Sequence, residues 1–297
     1  IIAGSLILGL LVSGTILVVA GVPAGELLNE FVILTLFDAQ SLQSVLFQAS
    51  PLIMVGLAGC LAFRAKFWNL GLEGQMIFGA IGATAITMWD IGSPAIRLPL
   101  MIAAAMACGL LWAVAPVLLR LKLQVNEIVS TLMLNYIAIN FLLHLMYGAW
   151  KDPKDAFPYS PKFESFELLP EFGDGLSMSI PIAIVIALIV LWFINISRAG
   201  LYLRFVDKSP QVARSVGVPV AKTILLAVLF SGALAGLAGL MVAAGQEGRL
   251  THSFYVGYGF SGILIAFLAR NNPIAATCAA LLIATLFVAG RSLQVFY

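Results

Sequence analysis

The sequence predicts an all-α, polytopic membrane protein with about ten transmembrane helices. It is 61% hydrophobic and only 10% charged, and its mean hydropathy is +1.04. A bilayer core about 30 Å thick needs roughly 20 apolar residues per helix, and runs of this length recur along the chain. They are too long and too continuous for the alternating strands of a membrane barrel. Cations also concentrate in every second loop, as in helical membrane proteins.

Nine spans are predicted within one transmembrane domain that covers residues 1–297. They lie at about 3–22, 44–63, 70–89, 98–119, 128–148, 179–197, 222–244, 259–269 and 273–290. The eighth is too short to cross as a straight helix, so a broken or re-entrant segment is predicted there. Such backbone is tolerated at membrane depth only inside protein or beside a wet cavity. Because the sequence starts without Met and directly in a span, we expect residues before Ile1 and a tenth helix after Tyr297.

The loop charges predict a cytoplasmic N-terminus. With this orientation, the inside loops hold most of the sixteen Lys and Arg residues, and the outside loops hold many of the acids, including those at 152–174. Lys and Arg accumulate on the cytoplasmic side of membrane proteins. The segment 149–178 is then an extracytoplasmic loop. The outside residues Gln246, Glu247, Arg249 and His252 are interpreted as a solvated loop, and the alternative is that they gate or receive substrate. The expected location is a bacterial plasma membrane, and the net charge of +2 gives no indication of nucleic acid binding.

Residues 198–222 form a basic cytoplasmic segment whose only acid is Asp207. Within it, Ser209 can cap a helix, Pro210 fits the first helical position and Gly217 can adopt the left-handed conformation that ends a helix. About seven residues cannot remain helical alone in water. The apolar face of this short helix therefore predicts docking on a cytoplasmic partner. The predicted docking helix comprises Ser209, Pro210, Gln211, Val212, Ala213, Arg214, Val216 and Gly217, and its apolar face is Val212, Ala213 and Val216.

Polar side chains inside apolar spans are the candidates for a translocation path, because they are costly in lipid and usually face a bundle interior. The candidates are Asn69, Glu73, Gln75, Asn126 and Asn135. The alternative for each is structural: Asn69 and Asn126 as helix caps, Glu73 near a positive helix end, and Asn135 as a hydrogen-bonding contact between helices. The small residues of SGALAGLAG at 231–239 predict a tight helix-packing seam.

Enzymatic motifs are absent from the sequence. There is no G-x-x-x-x-G-K-[ST] phosphate loop and no H-E-x-x-H, and the only histidines are His144 and His252. We therefore predict no catalytic residue, no metal site and no cofactor in this chain.

Five blocks in sequential order resemble the permease subunits of ATP-binding-cassette (ABC) importers for nucleosides and simple sugars. They are NLGLEGQ at 69–75, VNEIVSTLMLNYIA at 125–138, SPQVARSVGV at 209–218, SGALAGLAG, and GYGFSGILIAFLARNNP at 257–273. The resemblance implies a type II importer permease that pairs with a second permease, often a different one. Two separate ATPase subunits would carry ATP and Mg²⁺, 209–217 would be the helix that couples to them, and an extracytoplasmic binding protein would deliver the solute. One departure is Asp207-Lys208-Ser209, where the family usually has a Gly-x-Asn stretch.

Two other functions remain open from the residues alone. A stand-alone secondary transporter or channel would explain the spans, but it leaves the docking helix without a partner and usually needs ionisable residues in mid-span. A membrane-embedded enzyme would need clusters of His, Asp or Cys that the sequence does not offer.

Overall fold

The computed structural model describes residues 2–28, 33, 35–172, 176–255 and 257–296. Thirteen α-helices account for most of them: α1 Ile2–Val19, α2 Ala24–Leu28, α3 Thr35–Phe37, α4 Ala39–Arg64, α5 Leu72–Met88, α6 Pro94–Leu123, α7 Glu127–Tyr147, α8 Ser179–Ile196, α9 Arg198–Lys208, α10 Pro210–Ser215, α11 Val220–Val242, α12 Tyr258–Leu268 and α13 Pro273–Phe296. A π-helical segment, Ala243–Glu247, continues α11. Two short antiparallel strands, β1 Glu171–Phe172 and β2 Leu176–Ser177, pair in the loop before α8.

Each of the nine predicted spans coincides with a helix. Among the described residues, six helices are long and apolar enough to cross a membrane: α4, α6, α7, α8, α11 with its π-helical extension, and α13 up to Gln294. The other three predicted spans correspond to α1, α5 and the short helix α12. The predicted break is confirmed, because α12 ends at Leu268 and α13 begins only at Pro273.

Helix α4 lies at the centre of the bundle, and its residues from Gln48 to Phe63 are all buried. Helix α11 packs against α4 and also joins α5 and α6 through the predicted seam of small residues, which is confirmed. A Cβ atom on Gly236 would overlap the backbone of Ala105 on α6, and one on Gly79 of α5 would overlap Gly236 itself. Only glycine permits backbones to approach this closely, so these three helices form a rigid core.

Two segments interrupt the bundle. After α4, the chain turns at Lys66, whose φ of 55° lies in the left-handed region, and it re-enters the protein with Phe67 and Asn69 buried before α5 starts. Helix α12 starts beside the first half of α4, where Tyr258 meets Gln48, and it ends beside the last turn of α4. The N-termini of two short helices, α5 and α12, therefore lie inside the protein.

The basic segment contains a helix that the sequence analysis missed. Helix α9, capped by Ser197, occupies residues predicted only as a connecting stretch. Its buried residues Gly200, Leu203 and Val206 follow helical spacing, but the charges around them obscured this pattern in the sequence.

Candidate functional site

The predicted path residues Asn69 and Gln75 bind each other inside the bundle. The Nδ2 of Asn69 donates to Oε1 of Gln75 at 3.0 Å, and the Nε2 of Gln75 donates back to Oδ1 of Asn69 at 3.1 Å. Asn69 also donates to Oγ of Ser231 on α11 at 3.1 Å and accepts from the backbone N–H of Gly71. The two amides therefore fix the re-entrant turn before α5 against α11.

Asn135 fixes the same turn from α7. Its Oδ1 accepts from the backbone N–H of Gly74 at 2.8 Å, and its Nδ2 donates to the carbonyl of Leu70 at 2.8 Å. Only 3% of the side chain is exposed. A buried amide that binds both a donor and an acceptor on one turn holds that turn to its own helix. This geometry fits the alternative in which Asn135 is a hydrogen-bonding contact between helices.

Glu73 caps a helix other than its own. Its carboxylate accepts from the backbone N–H groups of Gly257 at 3.2 Å, Gly259 at 2.7 Å and Phe260 at 3.3 Å, at the N-terminus of α12. The first N–H groups of a helix have no partner within the helix, and a carboxylate is the side chain that best satisfies several of them. Glu73 thereby joins the starts of the two short helices, a contact between distant segments that spacing alone does not reveal.

Asn126 does not join this cluster. It is exposed and caps α7, accepting from the backbone N–H of Ile128 at 2.9 Å. The four buried groups Asn69, Glu73, Gln75 and Asn135 are therefore brought together around the start of α5, and the fifth candidate lies apart at the start of α7.

A cavity of about 530 Å³, here called the outer cavity, opens between α4, the π-helical segment, α12 and α13. A chain of hydrogen bonds crosses it. Gln48 Nε2 donates to the phenol oxygen of Tyr258 at 2.7 Å, and that hydroxyl donates to Oε1 of Gln246 at 2.8 Å. Phe47, Phe254 and Arg291 also line it. The cavity combines aromatic rings, amides, several hydroxyl groups, one cation and one acid, Glu247.

Sequence reasoning missed this cavity. Gln48 is an amide inside the second predicted span, the same signal that identified Asn135, and it was overlooked. The interpretation of Gln246 as part of a solvated loop is wrong: it lies half-buried in a π-helical turn, a geometry frequent at functional sites. The extra residue per turn directs Gln246 toward Tyr258, and sequence periodicity does not predict such a turn.

The loop 149–178, here called the cap loop, covers the segment between α11 and α12. Ser160 and Leu250 exchange two hydrogen bonds of 2.9 Å, and Phe163 donates from its backbone to Gly248. Arg249 binds Asp155 at 2.6 Å and lies over the ring of Tyr159. The Phe157 backbone N–H, and then the Arg249 side chain, lower the pKa of Asp155. The cap loop is thus fixed to the chain that leads into α12.

The cap loop is also anchored to α6. Buried Glu167 pairs with Arg97 at 3.2 Å, and Arg97 also reaches Asp90 and the carbonyl of Gly92. These contacts hold the cap loop against the helical bundle.

The short helix predicted at 209–217 is present as α10, and its docking role stays a prediction. Ser209 caps it through the N–H of Val212 at 3.4 Å, and Gly217 ends it with a φ of 83°. One detail of the predicted apolar face is wrong. Ala213 is fully buried against Val206, Val218 and Val220, whereas Val212 and Val216 are 57% and 60% exposed. The exposed part of the predicted apolar face is therefore Val212 and Val216.

Asp207, where the sequence departs from the family pattern, forms an ion pair. Asp207 lies 3.5 Å from Lys66, which connects α9 to the turn after α4. The end of the bundle that carries α9, α10, Arg64, Arg120 and Arg270 is here called the basic end.

Residues 41–295 match the protein family described as the branched-chain amino acid transport system permease component. The chain belongs to this family of ABC-importer permeases. The permease is similar to a glucose ABC transporter permease of Haloferax volcanii, with 34% identity over 97% of this chain and 79% of the relative. It is also similar to a guanosine ABC transporter permease of Bacillus subtilis, with 32% identity over 84% of this chain and 73% of the relative.

A nucleoside ABC transporter permease of Lactococcus lactis is 27% identical over 87% of this chain and 74% of its own length. A second guanosine permease of Bacillus subtilis and a second nucleoside permease of Lactococcus lactis also match. The permease is therefore the membrane-spanning component of an ABC importer and not its ATPase, and it works with an ATPase and a substrate-binding protein. Family membership does not support the stand-alone carrier or channel.

Proposed function

We propose that this permease forms half of a translocation path for nucleosides or related simple sugars. The names of its relatives support this solute class, since they include guanosine, nucleoside and glucose permeases. The other half is a second, different permease. In support, two organisms each contribute two distinct permeases named for the same solute class. ATP and Mg²⁺ bind only to the ATPase subunits, and this chain has no cofactor.

The N-terminus and the basic end face the cytoplasm of a bacterial cell, and the cap loop faces outward toward the binding protein. The position of the cations supports this orientation, because Arg64, Arg120 and Arg270 follow or precede apolar helices at one end. Lys and Arg also occur on the cap loop, but acids interleave with them there.

In this orientation the solute enters the permease through the outer cavity. Its volume of about 530 Å³ lies within the roughly 300–1,000 Å³ typical of small-molecule sites. Bases and sugar rings stack on aromatic side chains, and their hydroxyl and amide groups exchange hydrogen bonds with Gln and Tyr. The chain from Gln48 through Tyr258 to Gln246 is the single observation that carries this assignment.

The buried groups Asn69, Glu73, Gln75 and Asn135 form the inner limit of this path in our proposal. Glu73 supports it most directly, because it holds the N-terminus of α12, whose first residue, Tyr258, lines the outer cavity. If α12 moves during transport, either its hydrogen bonds to Glu73 break or α5 moves together with it.

Uptake by Tyr258→Phe tests the cavity. The change removes one hydroxyl and both of its hydrogen bonds while the ring remains. A hydrogen bond contributes about 0.5–1.5 kcal/mol, so we expect uptake of labelled uridine, guanosine or glucose to fall several-fold at unchanged protein level. The assay uses a strain that lacks the native permease.

The matched control is Tyr147→Phe, because Tyr147 is 67% exposed at the end of α7 and remote from the cavity lining. Uptake by Gln48→Leu should fall as well. Normal uptake in both cavity variants would exclude the cavity from the path, and uptake of none of these solutes by the wild type would refute the solute class.

A further inference from the structure

A second cavity lies at the basic end, where α8 ends and α11 begins. It is a groove of about 300 Å³ between the end of α8, the start of α9 and the start of α11, here called the basic groove. Phe193, Leu226 and Ala227 belong to its apolar lining, and Arg198 and Lys222 lie on the same groove. One small space thus combines an apolar surface with two cations.

The two cations have no acid to neutralise them. Within the described ranges, the ion pairs of the basic end join Lys66 to Asp207 and Arg120 to Glu127. Neither Arg198 nor Lys222 forms an ion pair there, and both side chains are exposed. The only acid in the sequence between them is Asp207, which binds Lys66. An anion in the groove would therefore meet uncompensated positive charge.

Helix α9 has the character of a helix that lies on a membrane surface. Gly200, Leu203 and Val206 are buried against the protein, whereas Leu201, Tyr202 and Phe205 remain 40–42% exposed. Large apolar side chains beside cations suit the boundary between headgroups and acyl chains. Tyr202, which also lines the groove, is a residue type enriched at this depth.

We propose that the basic groove binds an acidic phospholipid, with the headgroup phosphate between Arg198 and Lys222 and an acyl chain over Phe193 and Leu226. Basic pockets between helices on the cytoplasmic side suit the headgroups of anionic lipids. A soluble phosphate would use the two cations but none of the apolar surface. The combination of both surfaces in one groove therefore favours a lipid.

The proposed site is next to the coupling element. Val206 of α9 packs on Ala213 of α10, so a lipid that holds α9 also steadies the docking helix. The site concerns lipid recognition and does not depend on which solute the permease carries.

Native mass spectrometry tests the proposal on the assembled transporter in nanodiscs that mix phosphatidylglycerol with phosphatidylcholine. The double variant Arg198→Gln/Lys222→Gln should retain at least five-fold less phosphatidylglycerol than the wild type. Its matched control is Lys122→Gln/Arg270→Gln, which removes the same charge from exposed sites at the same end and should retain wild-type amounts.

A third variant, Leu226→Trp, fills the apolar surface and keeps both cations, and it should also lose the lipid. Melting temperatures in phosphatidylcholine alone should match between variants. Equal retention of phosphatidylglycerol by the two double variants would refute the site. Displacement of the lipid by millimolar inorganic phosphate, or equal retention of phosphatidylcholine, would refute a lipid-specific site.

Discussion

At the scale of single residues, the buried amides bind backbone N–H and carbonyl groups at the turn before α5 that have no backbone hydrogen-bond partner within the turn. The re-entrant segment 65–71 carries backbone groups into the bundle, where Phe67, Asn69 and Gly71 are buried. Asn69 binds the N–H of Gly71, and Asn135 binds the carbonyl of Leu70 and the N–H of Gly74. Each unpaired buried group would cost about 1–3 kcal/mol, so these side chains stabilise the break in the helix.

Replacing Asn135 by Ala tests whether this role is purely structural. The variant leaves the N–H of Gly74 and the carbonyl of Leu70 without partners, and we expect it to destabilise the permease by about 1–3 kcal/mol. Thermal stability and uptake are measured on one preparation. Asn140→Ala is the control on the same helix, because Asn140 is exposed and bonds only within α7.

The two outcomes separate the two roles of Asn135. Loss of stability and of uptake together would support the structural role. Normal stability with altered solute preference would place Asn135 on the path.

At the scale of elements, α10 illustrates how a short helix survives outside a bundle. Ser209 caps its first turn, and Ala213 fixes it to α9 and α11 through Val206 and Val220. This contact supplies the stability that six helical residues lack alone. Beside Ala213, the side chains of Val212 and Val216 are exposed, and they form the apolar surface that the proposed partner would contact.

Val212→Asp and Val216→Asp should uncouple the transporter. A carboxylate on this face cannot enter an apolar groove on the ATPase without an unpaired charge, so docking should weaken. The measurement is ATPase activity stimulated by loaded binding protein, with normal membrane insertion as a requirement. Normal stimulation in both variants would refute the coupling assignment.

Two further variants serve as controls for the docking helix. Val125→Asp makes the same change on an exposed valine between α6 and α7 and should leave stimulation intact. Ala213→Asp places a charge at a fully buried position and should destabilise the segment itself. A specific effect at Val212 and Val216 is thereby distinguished from unfolding of α10.

At the scale of the whole molecule, the two ends of the bundle differ in construction. The cap loop fixes the chain between α11 and α12 through Arg249 and Ser160. At the opposite end, Arg64 donates to the carbonyl of Asn271 at 2.8 Å, which joins α4 to the turn between α12 and α13. Helix α12 is therefore held at both ends, by the cap loop and Glu73 on one side and by Arg64 on the other.

Labelling of single cysteines tests the orientation. In a background where Cys60, Cys108 and Cys278 are replaced by Ala, a cysteine at Ser165 should react with a membrane-impermeant thiol reagent added to whole cells. A cysteine at Ser215 should react only after the cells are opened. Both positions are exposed on this chain, so in cells that express the permease without its ATPase their accessibility differs only through sidedness. The reverse pattern would refute the predicted topology.

The sequence by itself determined the fold class, all nine helical spans, the packing seam and the short capped helix α10. Each of these depends on local composition or spacing: apolar length, small residues four apart, or a cap followed by Pro and ended by Gly. Only the tertiary structure decided how distant segments meet. Glu73 accepts a hydrogen bond from Gly259 at the N-terminus of α12, 186 residues away, and Gln48 meets Tyr258 across 210 residues. No periodicity encodes such contacts, because the packing of the intervening helices, and not the chain between them, brings the side chains together.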